Sequence, residues 1–107
     1  MNHRSIEDKL RTLGLTCVYE GYFCLIHAVQ LAEENPQWLT LPTKWLYPEV
    51  AQRCDLPLCR VDSALRSAIR RCCTACGGEV ARMCGTDTPT VVGFIGGLLG
   101  DLQGSER

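Results

Sequence analysis

The sequence predicts an all-α fold, a compact bundle of about six helices that contains a helix-turn-helix. Apolar residues recur at spacings of three and four along most of the chain, which is the period of an amphipathic helix. Proline and glycine bound these apolar stretches, at positions where helices start and stop. The chain has 107 residues, enough for one modest core, so we expect a single domain over residues 1–107.

Two helices are expected before the first proline, Pro36. The first starts at a Ser5 cap and stops at Gly14. The second starts at about Val18 or Gly21 and ends before Pro36, and the residues from Trp38 to Pro42 form a connection. The apolar residues that these two helices would bury are Ile6, Leu10, Leu13, Tyr22, Leu25, Ile26, Val29 and Ala32.

A short helix, a three-residue connection and a longer helix are expected next, as a helix-turn-helix over about 46–76. Pro48 and Glu49 favour a helix start at Leu46, and Asp55-Leu56-Pro57 forms the connection. The longer helix, the recognition helix of such a motif, is expected to end at Gly77-Gly78. Its expected buried residues are Val61, Leu65, Ala68, Ile69, Cys72 and Cys76. Its expected exposed residues are Ser63, Arg66, Ser67, Arg70 and Thr74.

A short helical turn from Val80 to Cys84 and a last helix from Pro89 complete the prediction. The last helix carries one apolar face and one face made mostly of glycine. Each glycine costs up to about 1 kcal/mol relative to alanine, so this helix should depend on docking against the core. The spacing Gly93-x-x-x-Gly97 permits close approach of another helix, either within the domain, which we favour, or from a second copy.

The charge distribution favours binding to nucleic acid more than the net charge of −1 does. Residues 43–82 hold seven basic and four acidic side chains, so this stretch is net +3 and the remainder is −4. Arginine on a recognition helix can bind guanine or phosphate, and serine can hydrogen-bond to either. An arginine face can also be only a solvated face. The candidate DNA-binding residues are Lys44, Arg60, Ser63, Arg66, Ser67, Arg70 and Arg71.

Eight cysteines in 107 residues are compatible with a secreted disulfide scaffold. However, the sequence shows no signal peptide, and no apolar run reaches the roughly 18 to 20 residues of a membrane span. We therefore expect a cytoplasmic protein with no membrane partner. In that compartment cysteine acts as a small apolar side chain.

Cysteine and histidine motifs raise the alternatives of metal binding and catalysis. Cys73 and Cys76 form a C-x-x-C pair, and Cys24 with His27 could supply two further zinc ligands. Because Cys72 and Cys76 lie on the apolar stripe, we favour core packing and expect no metal and no cofactor. Cys24 and His27 show no oxyanion donor or third orienting group, so we expect no enzyme activity.

Four segments of the chain share their order and spacing with one known family. They are Gly14-Leu15-Thr16-Cys17-Val18-Tyr19-Glu20-Gly21-Tyr22, Leu46-Tyr47-Pro48-Glu49-Val50-Ala51, Arg60-Val61-Asp62-Ser63-Ala64-Leu65-Arg66-Ser67-Ala68-Ile69-Arg70, and Pro89-Thr90 with Phe94-Ile95. Together they resemble the effector domain of the master sporulation response regulator, stage zero sporulation protein A. The likeness extends from about Ile6 to Leu102, and four motifs in register make it specific.

The resemblance implies a six-helix DNA-binding domain that reads promoter boxes as tandem copies. The partners that it implies are double-stranded DNA, RNA polymerase sigma factor and a second copy on tandem sites. The match in the recognition helix covers Arg60 and Arg66. Where this chain has Ser63, Ser67 and Arg70, the family has arginine, histidine and glutamate, so the family's base preference does not carry over.

Two alternatives stay open at the level of the sequence. The family carries an N-terminal phospho-acceptor receiver domain, whereas this sequence opens at Met1 a few residues before the match, so we expect either a stand-alone effector domain or an excised one. The rival function is that of a protein-interaction adaptor or antagonist on the same scaffold. The net charge of −1 and the two serines on the recognition face support that rival, and the concentration of arginines opposes it.

Overall fold

The computed structural model describes residues 3–16, 20–86 and 88–105, and within these ranges the regular structure is helical throughout. The all-α prediction is confirmed. The α-helices are α1 (His3–Thr12), α2 (Glu20–Glu34), α3 (Tyr47–Cys54), α4 (Leu58–Cys84) and α5 (Val91–Ser105). A 3₁₀ helix (Pro36–Thr40) and a π-helical turn (Pro42–Leu46) connect α2 to α3. Cys17, Val18 and Tyr19 of the expected glycine-bounded segment lie outside the described residues.

The start of α1 differs from the sequence prediction, and its end agrees. The helix begins at His3, so Ser5 lies inside its first turn and is not the cap. Serine is tolerated there because first-turn N–H groups have no partner within the helix. Gly14 ends the helical stretch with φ of +92°, a left-handed conformation that glycine adopts without steric cost. This turn brings Leu13 and Leu15 into the core.

Helix α4 does not end at Gly77-Gly78, so that prediction is wrong. The helix breaks one residue earlier, at Cys76, where φ is −141° and ψ is 53°, and then continues to Cys84. The break lies against the end of α1. There the Cys76 thiol donates to the carbonyl oxygen of Thr12 at 3.5 Å. The described residues therefore contain five α-helices where about six are expected, because the expected turn from Val80 to Cys84 is the second part of α4.

The core lies between α2, α4 and α5, with α1 and α3 at its sides. Tyr22 and Phe94 are the largest side chains fully buried in it. Helices α4 and α5 meet at Gly97, where a Cβ atom would lie 2.7 Å from the Cys84 Sγ and 2.9 Å from the Met83 carbonyl oxygen. Gly97 therefore packs within the domain, as favoured from the sequence. In the described part of the chain, no helix is both long and apolar enough to cross a membrane.

A four-charge network holds α1, the second half of α4 and α5 together. The Lys9 Nζ lies 2.9 Å from Glu79 and 2.9 Å from Asp101, and Arg82 contacts the same two carboxylates. Hydrogen bonds from Arg82 and then Lys9 lower the pKa of Glu79 to about 2. The hydrogen bond from Lys9, followed by that from Arg82, lowers the pKa of Asp101. The network therefore favours the charged form of both acids.

The Asp101→Asn variant is expected to be less stable than the parent protein by about 1–2 kcal/mol at pH 7, because two cations lose a charged partner. Carboxylates whose folded pKa is depressed stabilise the fold above their ordinary pKa of about 4. That stabilisation is lost as the pH falls toward the folded value, which is about 2 for Glu79. Urea unfolding at pH 7, 4 and 3 should show that the free energy of unfolding falls more steeply with decreasing pH in the parent than in the variant.

The matched control for this prediction is Asp8→Asn. Asp8 pairs with Arg11 at 3.6 Å, and both side chains are mostly exposed. Exposed pairs of this kind contribute little, so the control should change stability by less than about 0.5 kcal/mol. Equal effects of the two variants would contradict a stabilising role for the network.

Candidate nucleic-acid interface

The helix-turn-helix consists of α3, the connection 55–57 and the first part of α4. Asp55 adopts a left-handed conformation with φ of 55°, which aspartate tolerates better than most residues. The N–H of Leu56 donates to the carbonyl oxygen of Ala51 at 3.0 Å and closes the end of α3. Pro57 is extended and stands immediately before α4, so the chain turns within three residues. The expected short helix, connection and longer helix are confirmed.

One face of α4 is buried against the core and the opposite face is exposed. The buried residues include Val61, Leu65 and Ile69, which supports the expected spacing of three and four. Cys76, the last residue of the expected stripe, is half-buried at the break of the helix. The predicted outward residues are all exposed: Ser63, Arg66, Ser67, Arg70 and Thr74.

The candidate DNA-binding residues lie on two elements. Six of them belong to the exposed side of α4: Arg60, Ser63, Arg66, Ser67, Arg70 and Arg71. Lys44 lies instead on the π-helical turn before α3. Its Nζ is 5.2 Å from the centre of the Trp45 ring, a cation–π geometry that holds the ammonium at the surface. The structure therefore unites six of the seven candidates on one helix.

Two recognition-helix arginines are paired with carboxylates. The Arg66 Nε forms an ion pair with the Asp62 Oδ2 at 2.7 Å, one helical turn away. The Arg60 Nη2 donates to the Glu20 Oε2 at 2.7 Å, across the contact between α4 and α2. Exposed ion pairs contribute little free energy, so another anion can replace Glu20 on Arg60.

A buried tyrosine of α3 contacts the carboxylate of the Arg66–Asp62 pair. The Tyr47 hydroxyl donates to the Asp62 Oδ1 at 2.8 Å. Burial, together with the hydrogen bond and the charge of Asp62, raises the pKa of Tyr47 to about 12. The hydroxyl therefore keeps its proton at neutral pH and remains a donor to Asp62.

A groove of about 510 Å³ runs beside this exposed face, between α4 and the segment that leads into α5. Its lining includes Tyr47, Asp62, Arg66, Arg70, Thr88 and Thr90. Sequence reasoning identified the two arginines and missed the other four. The spacing of Asp62 and Arg66 (i, i+4) was a readable signal for their pairing. No signal in the sequence joins Tyr47 or the two threonines to them.

The described cysteines are free thiols, and they divide between core and surface. Burial raises the pKa of Cys24 and of Cys72 to about 12, so both are neutral apolar groups, as expected of core filler. Cys59 is exposed, because it falls in the first turn of α4 on the side away from the core. Among the described residues no three histidine, cysteine or acidic side chains are grouped as a metal site would require.

A comparison with known protein families finds one match over most of the chain. Residues 6–89 match the family described as sporulation initiation factor Spo0A C terminal. The matched range contains most of α1 and all of α2, α3 and α4, and therefore the whole helix-turn-helix. Members of this family are DNA-binding effector domains, not enzymes. The resemblance noted in the sequence is confirmed, and the chain belongs to the family of the Spo0A C-terminal domain.

Proposed function

We propose that this protein is a sequence-specific, DNA-binding transcription regulator that places α4 in the major groove. The observation that carries the proposal is the exposed face of α4 between Arg60 and Arg71, on a helix braced by α3 through a three-residue turn. A straight helix with one polar face fits the width of the major groove. The buried face of the same helix anchors it to the core, so the polar face is presented rigidly.

The exposed residues divide into two roles under this proposal. Ser63, Arg66 and Ser67 occupy the middle of the face and reach base edges. Arg60, Arg70 and Arg71 lie at the two ends of the face and contact phosphates. Lys44 reaches a phosphate on the flank from its separate turn, since its ammonium is held at the surface. Phosphate contacts position the helix, and base contacts select the sequence.

The net charge of −1 is compatible with this role because the carboxylate that pairs with Arg60 at the start of the recognition helix is replaceable. Glu20 and Asp62 each pair with an exposed arginine at the surface. On DNA a phosphate takes the place of Glu20 on Arg60. The local excess of basic residues then faces the duplex, while the acidic remainder of the chain lies elsewhere.

Membership of the family suggests the wider setting of this activity. We place the protein with the bacterial nucleoid in the cytoplasm, acting on sporulation-related promoters. Binding to tandem sites as two copies, and contact with RNA polymerase sigma factor, belong to the same proposal. The rival role as an adaptor is favoured by exposed apolar side chains that DNA would not require, namely Phe23, Leu41, Trp45 and Leu58.

The test is the salt dependence of binding to duplex DNA. Fluorescence anisotropy would compare a promoter fragment carrying the family's box, a duplex selected from a random library, and a scrambled duplex. Each phosphate contact contributes about −0.9 to the slope of log affinity against log salt. The four proposed phosphate contacts predict a slope of about −3 to −4. Absence of binding to any duplex at low salt would instead favour the adaptor.

A further inference from the structure

The recognition helix is joined to the helix that braces it by a chain of three polar side chains. The Tyr47 hydroxyl on α3 donates to one oxygen of Asp62, at 2.8 Å. The other oxygen of Asp62 forms an ion pair with Arg66, whose Nε lies 2.7 Å away. We propose that Tyr47 and Asp62 are positioning residues that orient Arg66 for base recognition, so that sequence discrimination depends on a side chain that never touches DNA.

Burial along this chain falls steadily from the core to the surface. Tyr47 is 6% exposed, so its ring is held by the core. The side chain of Asp62 is 39% exposed, and that of Arg66 is 67% exposed. The order matters because a fixed tyrosine restricts the carboxylate, and the carboxylate then restricts an otherwise mobile arginine. The rigidity of the core is transmitted to the exposed end of the chain by one hydrogen bond and one ion pair.

The closest approach of Arg66 to Asp62 is through the Nε, at 2.7 Å, so this pairing does not require the two terminal nitrogens. Those two nitrogens form the fork that donates to two acceptors on one base edge. An arginine restricted to one orientation loses less side-chain entropy when it makes this contact. Such an arginine is also less able to rotate toward a phosphate, and phosphates are the same in every DNA sequence. Asp62 thus favours recognition of a base over binding to the backbone.

This inference rests on the proposed function, but its first consequence can be measured without DNA. In the free protein the Arg66 Nε–H should exchange with water more slowly than that of Arg70, an exposed arginine of the same helix for which the described residues provide no ion pair or hydrogen bond. Asp62→Asn should remove the protection of Arg66. Tyr47→Phe should reduce it partially, and Asp62→Glu should retain part of it because a carboxylate remains. Nitrogen-resolved NMR of the arginine side chains reports each effect.

The second consequence is a loss of discrimination without a matching loss of affinity. The ratio of affinities for a selected duplex and a scrambled duplex should fall about tenfold in Asp62→Asn, since one good bidentate contact is worth roughly that factor. The ratio should fall about threefold in Tyr47→Phe, because Asp62 remains and the base contact of Arg66 is only partly loosened. Affinity for the scrambled duplex should stay equal or rise. Asp8→Asn, which breaks an exposed pair on α1, is the control and should leave the ratio unchanged.

The outcomes separate this inference from the proposed function. Duplex binding with an unchanged ratio in both Asp62→Asn and Tyr47→Phe would overturn the positioning role and leave the DNA-binding function intact. Fast exchange of the Arg66 Nε–H in the parent protein would overturn it as well. No binding to any duplex would reject the function, and with it the role in discrimination. Asp62 lies at the surface, so its variants test the inference even if Tyr47→Phe fails to fold.

Discussion

Gly21→Ala is expected to destabilise the protein by about 3 kcal/mol, because α2 and α4 cross at this position without room for a methyl group. A Cβ atom at residue 21 would lie 2.3 Å from the Ala64 carbonyl oxygen and 2.6 Å from the Ala68 Cβ. The oxygen belongs to the backbone of α4, so it cannot move away by a change of rotamer. The two helices must separate, and the buried side chains between them lose contact.

Thermal unfolding measures this effect directly. A loss of about 3 kcal/mol corresponds to a fall in Tm of roughly 10–20 °C in a domain of this size. The separation would also draw Glu20 away from Arg60, whose 2.7 Å contact spans the same crossing. Weaker protection of the Arg60 side chain in the variant is therefore expected together with the lower Tm.

Gly96→Ala is the matched control for this substitution. Gly96 lies within α5, and a Cβ atom there would meet nothing within 4 Å. Alanine in an open helical position is favoured over glycine by about 0.5–1 kcal/mol, so this variant should be slightly more stable than the parent. Loss of stability in both variants would show that the cost does not arise from the crossing of α2 and α4.

Arg66→Ala is expected to weaken binding to a selected duplex by about 1–3 kcal/mol, roughly 5- to 150-fold. The reason is that Arg66 lies at the centre of the exposed face of α4 and can form a bidentate contact with guanine O6 and N7. Its side chain is 67% exposed, so its removal should change the free energy of unfolding by no more than about 0.5 kcal/mol. Anisotropy titrations at constant salt measure the loss of affinity.

The loss of affinity of Arg66→Ala should be measured on a scrambled duplex as well as on the selected one. A base contact predicts a much smaller loss on the scrambled duplex than on the selected one. An equal loss on both would show that Arg66 contacts phosphate instead. Arg11→Ala removes an exposed arginine from α1 and should leave binding to both duplexes unchanged.

The helix-turn-helix was predictable because its signals are local. The buried spacing of Val61, Leu65 and Ile69 and the turn at Asp55 to Pro57 are each contained in a few consecutive residues. Local signals also identified the exposed face with Arg66 and Arg70, since a helix that buries one side must expose the other. The roles of these residues on DNA stay predictions.

The end of the long helix α4 was predicted less well than its exposed face, because it does not depend on local signals alone. Gly77-Gly78 is a strong stop signal, yet α4 continues through it after a break at Cys76. Glycine allows a helix to end but does not require it. At the break the Cys76 thiol contacts the carbonyl oxygen of Thr12, 64 positions away, and no local signal could have indicated that contact.

By itself, the sequence determined the class of fold, the order of the helices and which side of α4 faces outward, because periodicity and turn chemistry act over a few residues. Only the tertiary structure decided which charges meet. Lys9 reaches Asp101 from the opposite end of the chain, Glu20 reaches Arg60 from another helix, and Tyr47 reaches Asp62 across the turn. Such pairs form because packing of apolar faces fixes the helices first, and their spacing along the chain carries no period from which they could be predicted.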